Sequence, residues 1–335
     1  MSSLAVKYRP QSFDEVVGQP AVKIFKKQIE TGNIPNIYML IGASGCGKTT
    51  CARILANSID GQLIEIDGAS NNGVDNVRDI IKAAQERAIG HKYKVFNIDE
   101  CQMITAQGWA SFLKCIEECP KYTIFIFCTT DPQKVPEPIK NRCQRFYFNK
   151  IKVEDIIDKL KYISSVEYPT IKYEDEVITY LAKVSNGCMR EAISLLERCF
   201  SNNIFTLKEA VEFFGNYKYD TYFNLTNYII DGKQDSILKE IDNIYYSGTD
   251  LKLFVEEYLK FCIEVNKYII FKDIKLTTIP SVYEKDLINI VNLENVNKYY
   301  LYIIDKLLEL KNMLKLDNNP KSTIEIIFLQ LVRGI

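Results

Sequence analysis

Residues Gly42-Ala43-Ser44-Gly45-Cys46-Gly47-Lys48-Thr49 read G-x4-G-K-T, between the apolar run IYMLI and the helical pattern TTCARILAN that starts at Thr49 and Thr50. That spacing suits the cradling of a phosphate chain. Glycines let backbone N–H groups turn inward, and the helix that follows presents its positive end. Lys48 adds a full charge toward the β- and γ-phosphates, and the Thr49 hydroxyl can ligate Mg2+. Further along, Asp99-Glu100 closes the apolar run Val95-Phe96-Asn97-Ile98. Two carboxylates at a strand end can divide the work, Asp99 holding the magnesium shell and Glu100 polarising the attacking water. Alone, either motif could be a glycine-rich turn or a solvated acidic pair; together, with strand before and helix after, they point to nucleotide hydrolysis.

The elements that must position these groups are legible as patterns. Short apolar runs at 37 to 41, 62 to 66, 94 to 98 and 123 to 128 alternate with helical segments. They predict an α/β domain over residues 1–150, with a largely parallel sheet covered on both faces. After Phe148 the apolar residues recur at helical spacing, as in Ile156, Ile157, Leu160 and Ile163, then Val177, Ile178 and Leu181. SNGCMREAISLLERC at 185 to 199 predicts a helix capped by Ser185 and Asn186, within a helical lid over 151–215. Amphipathic segments at 221 to 231, 250 to 271 and 295 to 315 predict an all-helical domain over 216–335. In AQGWASFLKCIEE, Trp109, Phe112, Leu113 and Ile116 keep the spacing of a buried helix face, so they are expected in the core rather than as stacking platforms.

Composition narrows the function classes. The 335 residues are 47% apolar and 25% charged, with no apolar run that would cross a bilayer, which predicts a globular protein without a membrane role. MSSLAVKYRPQSF lacks the apolar stretch of a secretory signal, so a cytoplasmic location is expected. Ten scattered cysteines without a C-x2-C pair suit a reducing compartment and predict no zinc site; Cys115 and Cys119 stand at helical spacing but have no histidine near them. The single histidine, His91, sits in the polar turn GHKYK and is expected to be solvated. A net charge of −1 gives no bulk support for nucleic-acid binding, so any such contact must come from a local surface.

Other segments are more specific. Tyr8-Arg9-Pro10-Gln11-Ser12-Phe13-Asp14-Glu15-Val16-Val17-Gly18-Gln19 resembles the N-terminal box of DNA sliding-clamp loaders, ATPases of the AAA+ class that include the bacterial gamma/tau subunits and the small subunits of replication factor C. Similar matches are Ala69-Ser70-Asn71-Asn72-Gly73-Val74-Asp75-Asn76-Val77-Arg78, Thr129-Thr130-Asp131-Pro132-Gln133-Lys134 and Asn141-Arg142-Cys143-Gln144-Arg145-Phe146. The likeness is detailed from residue 4 to about 200; beyond that only the helical character continues it.

The resemblance implies an AAA+ core, a lid and a helical collar, with ATP and Mg2+ as ligands. It implies an adenine pocket bordered by Ala5, Tyr8, Arg9, Pro10, Val17 and Gly18. Thr130 would be the sensor of the γ-phosphate, and Arg190 in GCMREA a second sensor reaching from the lid. Arg142 would be an arginine finger for the ATP of a neighbouring subunit, with Asn141 standing where the family has serine; without the resemblance it reads as a surface arginine paired with a carboxylate. The implied partners are a sliding clamp, primer-template DNA, other subunits of a homo- or hetero-pentamer and, indirectly, a DNA polymerase. Arg78 and Lys82, four apart on one helix face, and Lys114 would meet DNA phosphates, although a solvated face is the plainer reading. Clamp contact would lie near Arg87 to His91, where no distinctive hydrophobic plug is evident. The family's cysteine zinc module is missing between the phosphate loop and Ala69. The end at Gly334-Ile335 leads us to expect no polymerase- or helicase-binding tail, in a phage or divergent bacterial protein. The alternatives are another AAA+ DNA motor, such as a branch-migration helicase or a fork-repair ATPase, and a non-catalytic structural subunit.

Overall fold

Five strands form one parallel sheet in the order β2-β3-β4-β1-β5: β1 (Ile37–Gly42), β2 (Gly61–Asp67), β3 (Tyr93–Asp99), β4 (Thr123–Thr129) and β5 (Gln144–Phe148). The structure is a computed structural model that describes residues 3–214, 219–293, 296–315 and 317–333. The first four strands coincide with the apolar runs. The fifth was not among them, because QRFYF is an edge strand in which only Phe146 and Phe148 are buried.

The chain before, between and after the strands forms α1 (Leu4–Lys7), α2 (Ala21–Thr31), α3 (Lys48–Ser58), α4 (Val74–Gln85), α5 (Ala106–Glu117), α6 (Glu137–Lys140), α7 (Val153–Glu167), α8 (Asp175–Val184) and α9 (Met189–Ser201). The two-residue period of a strand sends alternate side chains of β1 to opposite faces. Tyr38 and Leu40 join Phe25, Cys51, Leu55 and Phe146 on one face. Ile37, Met39 and Ile41 join Val77, Phe96, Phe125 and Phe127 on the other. Trp109, Phe112 and Ile116 are buried in this second cluster and Leu113 packs against it, as their spacing predicts.

The cap expected for α9 is displaced. Asn186 (φ 51°) and Gly187 (φ 82°) take up the left-handed turn after α8, and the Ser185 hydroxyl donates to the Ala182 carbonyl at 2.8 Å. Neither Ser185 nor Asn186 can therefore cap the helix. Cys188 does so, its Sγ accepting the Glu191 N–H at 3.4 Å.

The chain divides into two compact units, Met1–Ile171 with Leu181–Asn202, and Lys172–Tyr180 with Asn203–Ile335. The second contains α10 (Leu207–Phe214), α11 (Tyr219–Ile230), α12 (Gln234–Tyr246), α13 (Leu251–Phe271), α14 (Glu284–Val291), α15 (Val296–Met313) and α16 (Pro320–Arg333), and no strand among its described residues. α13 is its axis: Asp250 caps it by accepting the Lys252 N–H at 2.8 Å, and Phe254, Tyr258, Cys262 and Val265 are fully buried along it. The buried Tyr258 hydroxyl meets Thr226 Oγ1 at 2.8 Å, so the aromatic core leaves it partnered. The expected boundary at 215 and 216, and residue 295, lie outside the described residues. No helix among those described is long and apolar enough to cross a membrane.

Candidate nucleotide site

In a parallel sheet all carboxyl ends face one edge, and crossovers that reverse direction there open a crevice. Here β4 lies between β1 and β3. That order sets the loop after β1, the Thr129-Thr130 end of β4 and the Asp99-Glu100 end of β3 side by side. Beside them is a cavity of about 510 Å³ within the first unit.

The loop after β1 is built for close approach. Gly45 (φ 68°) and Gly47 (φ 103°) occupy the left-handed region. A Cβ on Gly45 would sit 2.0 Å from Cys188 Sγ, and one on Gly42 only 2.5 Å from the Phe148 carbonyl oxygen. Lys48 is 5% exposed, and its ammonium donates to the Gly42 and Ala43 carbonyls at 2.8 and 2.9 Å. Cys46 turns its side chain into the protein, where Sγ donates to the Ala43 carbonyl at 2.9 Å and burial pushes the thiol pKa up. Its backbone is thus the part that faces the cavity. Ser44, Gly45, Cys46, Gly47, Lys48, Thr49 and Thr50 all line the cavity; Gly42 and Ala43 stand behind it and hold Lys48.

Opposite this loop, the Thr49 hydroxyl donates to Asp99 Oδ2 at 2.6 Å. A hydroxyl and a carboxylate converging on one point are the hard oxygen donors that magnesium takes, with phosphate oxygens and water completing its shell. No cluster of three or more histidine, cysteine or carboxylate ligands occurs among the described residues. Glu100 has a left-handed backbone (φ 47°, ψ 39°), an unfavourable conformation for a non-glycine residue and one that recurs at functional sites. Its N–H donates to Asp99 Oδ1 at 3.0 Å. Gly68, whose N–H donates to the Asp99 carbonyl at 2.8 Å, comes so close that a Cβ there would lie 2.8 Å from the Asp99 and Glu100 carbonyl oxygens.

The remaining walls come from the N-terminal segment and the helices after the sheet. Ala5, Tyr8, Arg9, Pro10 and Val17 line the cavity, with Ile151, Met189 and Ile193 adding apolar surface. Gly18 (φ 72°) does not line it; it turns the chain beside Ile151 and Asp155. The Tyr8 hydroxyl donates to Glu167, which also binds the Lys7 ammonium at 2.7 Å. Burial first, then this carboxylate, pushes Tyr8 up to about 12, so it stays a neutral donor. Arg9 is pulled below its ordinary pKa by burial and then by the positive charge of Arg53, with Arg190 adding to this and Glu65 opposing it. Three guanidiniums thus share one cavity, of which Arg53 is paired with Glu65 while Arg9 and Arg190 stand near it.

Thr130, Arg142, Arg78, Lys82 and Lys114 lie outside the cavity wall. Thr130 accepts from Gln102 Nε2 at 3.0 Å. Arg142 is 39% exposed, donates to the Pro138 carbonyl at 2.8 Å and pairs with Glu117. Arg78 pairs with Asp75 at 3.1 Å and Lys82 with Asp79 at 3.6 Å on the exposed face of α4. Lys114 is exposed on α5.

Residues missed in the sequence include Arg53, Glu65, Asn97 and Lys159, which line the cavity, and Gln19, which locks it. Gln19 Nε2 donates to the Cys46 and Asn149 carbonyls at 3.0 and 2.8 Å, while its Oε1 accepts the Asn149 N–H at 3.0 Å. Gln19 ends the N-terminal box, but only the fold shows that it clasps the phosphate loop.

A family model described as DNA polymerase III, delta subunit, matches residues 60–152. The DNA polymerase III subunit gamma/tau of Mycoplasma genitalium is 30% identical over 334 residues, covering 91% of this chain and 55% of that protein. The subunit gamma of Buchnera aphidicola subsp. Schizaphis graminum is 29% identical over 360 residues, covering 99% of this chain and 98% of its own. The subunit tau of Bacillus subtilis is 30% identical over 279 residues, 75% of this chain and 49% of that one. The chain thus spans about half the length of the gamma/tau and tau relatives and nearly all of the gamma subunit. Among solved structures, a RuvB Holliday junction branch migration motor of Thermotoga maritima superposes with a TM-score of 0.52 at 20% identity, over 72% of this chain and 86% of that one. At that identity the likeness speaks for a shared fold alone.

Proposed function

Because this chain belongs to the clamp-loader ATPase family of the DNA polymerase III gamma/tau subunits, we propose that it is an ATP-hydrolysing motor subunit that opens a sliding clamp and loads it onto primer-template DNA. The observation that carries this reading is the single cavity shared by the phosphate loop, the Thr49–Asp99 pair and Glu100. Lys48 and the loop amides bind the triphosphate, and Arg9 and Arg190 add positive charge. Thr49 and Asp99 would hold magnesium, which when bound supplies charge neutralisation at the phosphates. Glu100 takes the proton of the attacking water, and Thr130 donates to the γ-phosphate side. The N-terminal segment around Tyr8 and Pro10 encloses the adenine.

Residues 1–150, 151–215 and 216–335 would act as core, lid and subunit-joining collar. Arg142 would serve the neighbour's ATP. Its side chain is held by an exposed ion pair with Glu117 and a bond to the Pro138 carbonyl, both easily exchanged for a phosphate. In the same way Arg78, Lys82 and Lys114 could exchange nearby carboxylates or water for DNA phosphates, giving binding that is sequence-independent. The loop after α4 carries Ile89, 89% exposed, which supplies the apolar contact the clamp would need and which the sequence by itself did not single out. Such a machine would work in the cytoplasm.

The test is steady-state ATPase activity with partner subunits, clamp and primed DNA, for the parent, Glu100→Gln and Arg142→Ala. Stimulation by clamp and primed DNA together, lost in both variants, is the expected result. Turnover indifferent to the clamp would overturn the assignment in favour of another DNA motor.

A further inference from the structure

Between the sensing threonine and the catalytic glutamate stands a side chain that neither role accounts for. Gln102 lies on the single turn Cys101–Met103 that follows Glu100. Its Nε2 donates to Glu100 Oε2 and, at 3.0 Å, to Thr130 Oγ1. Its Oε1 accepts from the Thr129 hydroxyl at 2.8 Å. We propose that Gln102 is a positioning residue for hydrolysis, a carboxamide link that aims the Glu100 carboxylate according to the state of the β4 terminus. This inference rests on the assignment of Glu100 as the base.

The orientation of the carboxamide follows from its neighbours. A carboxylate only accepts, so the amide NH2 must face Glu100, and Oε1 is left for Thr129. Thr129 is fully buried and its Oγ1 also accepts the Asp131 N–H at 3.0 Å, which fixes the hydroxyl that anchors Gln102. The turn itself is pinned. Met103 N–H donates to the Glu100 carbonyl at 2.9 Å, Ile104 N–H donates to the Cys101 carbonyl at 3.1 Å, and the Cys101 side chain is fully buried. The Glu100 backbone is therefore held while its carboxylate takes direction from one amide. Because Thr130 Oγ1 accepts from Gln102, its own hydroxyl proton remains a donor. A phosphate oxygen that engages this proton polarises the hydroxyl and alters its bond to Gln102, and the same NH2 group then presents differently to Glu100. Sensing and base are coupled through one side chain.

The discriminating experiment compares Gln102→Met, which keeps length but removes the amide, with Thr130→Val and the double variant, in the assembled complex with clamp and primed DNA. Gln102→Met should lower kcat by about 10- to 100-fold, the range of one charge-assisted hydrogen bond. KM for ATP should stay close to the parent's, while the melting temperature falls by a few degrees because the buried Thr129 hydroxyl loses its acceptor. The double variant should lose no more than Thr130→Val alone, since both cut one link. A kcat within twofold of the parent, a loss confined to KM, or losses that multiply in the double variant overturns the proposal. Glu100→Gln is run beside them. If it keeps turnover, the base assignment and this inference fall together; if it is inactive while Gln102→Met is not, only the inference falls.

Discussion

Gly45→Ala tests how the phosphate loop is seated against the helix that carries Arg190. Two penalties combine at this position. The left-handed φ of 68° disfavours any side chain, by about 1–2 kcal/mol. The added Cβ would also lie 2.0 Å from Cys188 Sγ, where the helix cap must move or the loop must lift, an overpacking cost of about 1–3 kcal/mol. Their sum is about 2–5 kcal/mol. Gly47 isolates the first effect, because its φ is 103° but nothing lies within 4 Å of its missing Cβ, so Gly47→Ala should cost only about 1–2 kcal/mol. Removing Sγ isolates the second. In a Cys188→Ala background the nearest remaining atoms are Cys188 Cβ at 3.4 Å and Arg190 Cβ at 3.6 Å, which are ordinary contacts. Urea unfolding of the four proteins in the Gly45/Cys188 cycle should therefore give a coupling of about 1–3 kcal/mol, with the small loss of the Cys188 cap cancelling. Because α9 begins at Met189 and Arg190 is its second residue, Gly45→Ala should also depress hydrolysis, and Cys188→Ala should restore part of it. A coupling below about 0.5 kcal/mol, or a Gly45→Ala variant milder than Gly47→Ala, refutes the contact.

The clasp made by Gln19 predicts that Gln19→Leu leaves the Cys46 carbonyl and both Asn149 backbone groups without partners, costing about 2–5 kcal/mol in urea unfolding and weakening binding of a fluorescent ATP analogue. Unchanged affinity would mean that the loop holds its shape without the clasp. Arg142→Ala gives up an exposed pair worth less than about 1 kcal/mol, so its melting temperature and nucleotide affinity should match the parent's while turnover in the complex collapses. Equal turnover would remove the finger. Arg78→Ala with Lys82→Ala should lower the slope of log K against log salt for primed DNA by about 2, measured by anisotropy, and leave ATP affinity alone. An unaltered slope would return both residues to the role of solvated helix charges.

The amino-acid sequence by itself determined whatever depends on local chemistry. Apolar runs long enough for a buried strand located β1, β3 and β4 because both faces of a central parallel strand are covered, the edge strand β2 was legible from Leu63, Ile64 and Ile66, and helical spacing located α5 and α13 because one face must be apolar. The phosphate loop was equally legible, since left-handed turns at Gly45 and Gly47 and a lysine behind them are properties of adjacent residues. The tertiary structure decided what depends on distant segments meeting. β5 reads as ordinary loop until Tyr38 to Gly42 pair with it, because an edge strand needs only one apolar face. The cap of α9 moved to Cys188 because a left-handed pair after α8 consumed the expected positions. Gln102 joined Glu100 to Thr130 because β4 lies beside β3, and Gln19 joined Cys46 to Asn149 because β5 lies beside β1. Hydrogen bonds across such separations leave no periodic trace in a sequence; they are set by which strand lies beside which.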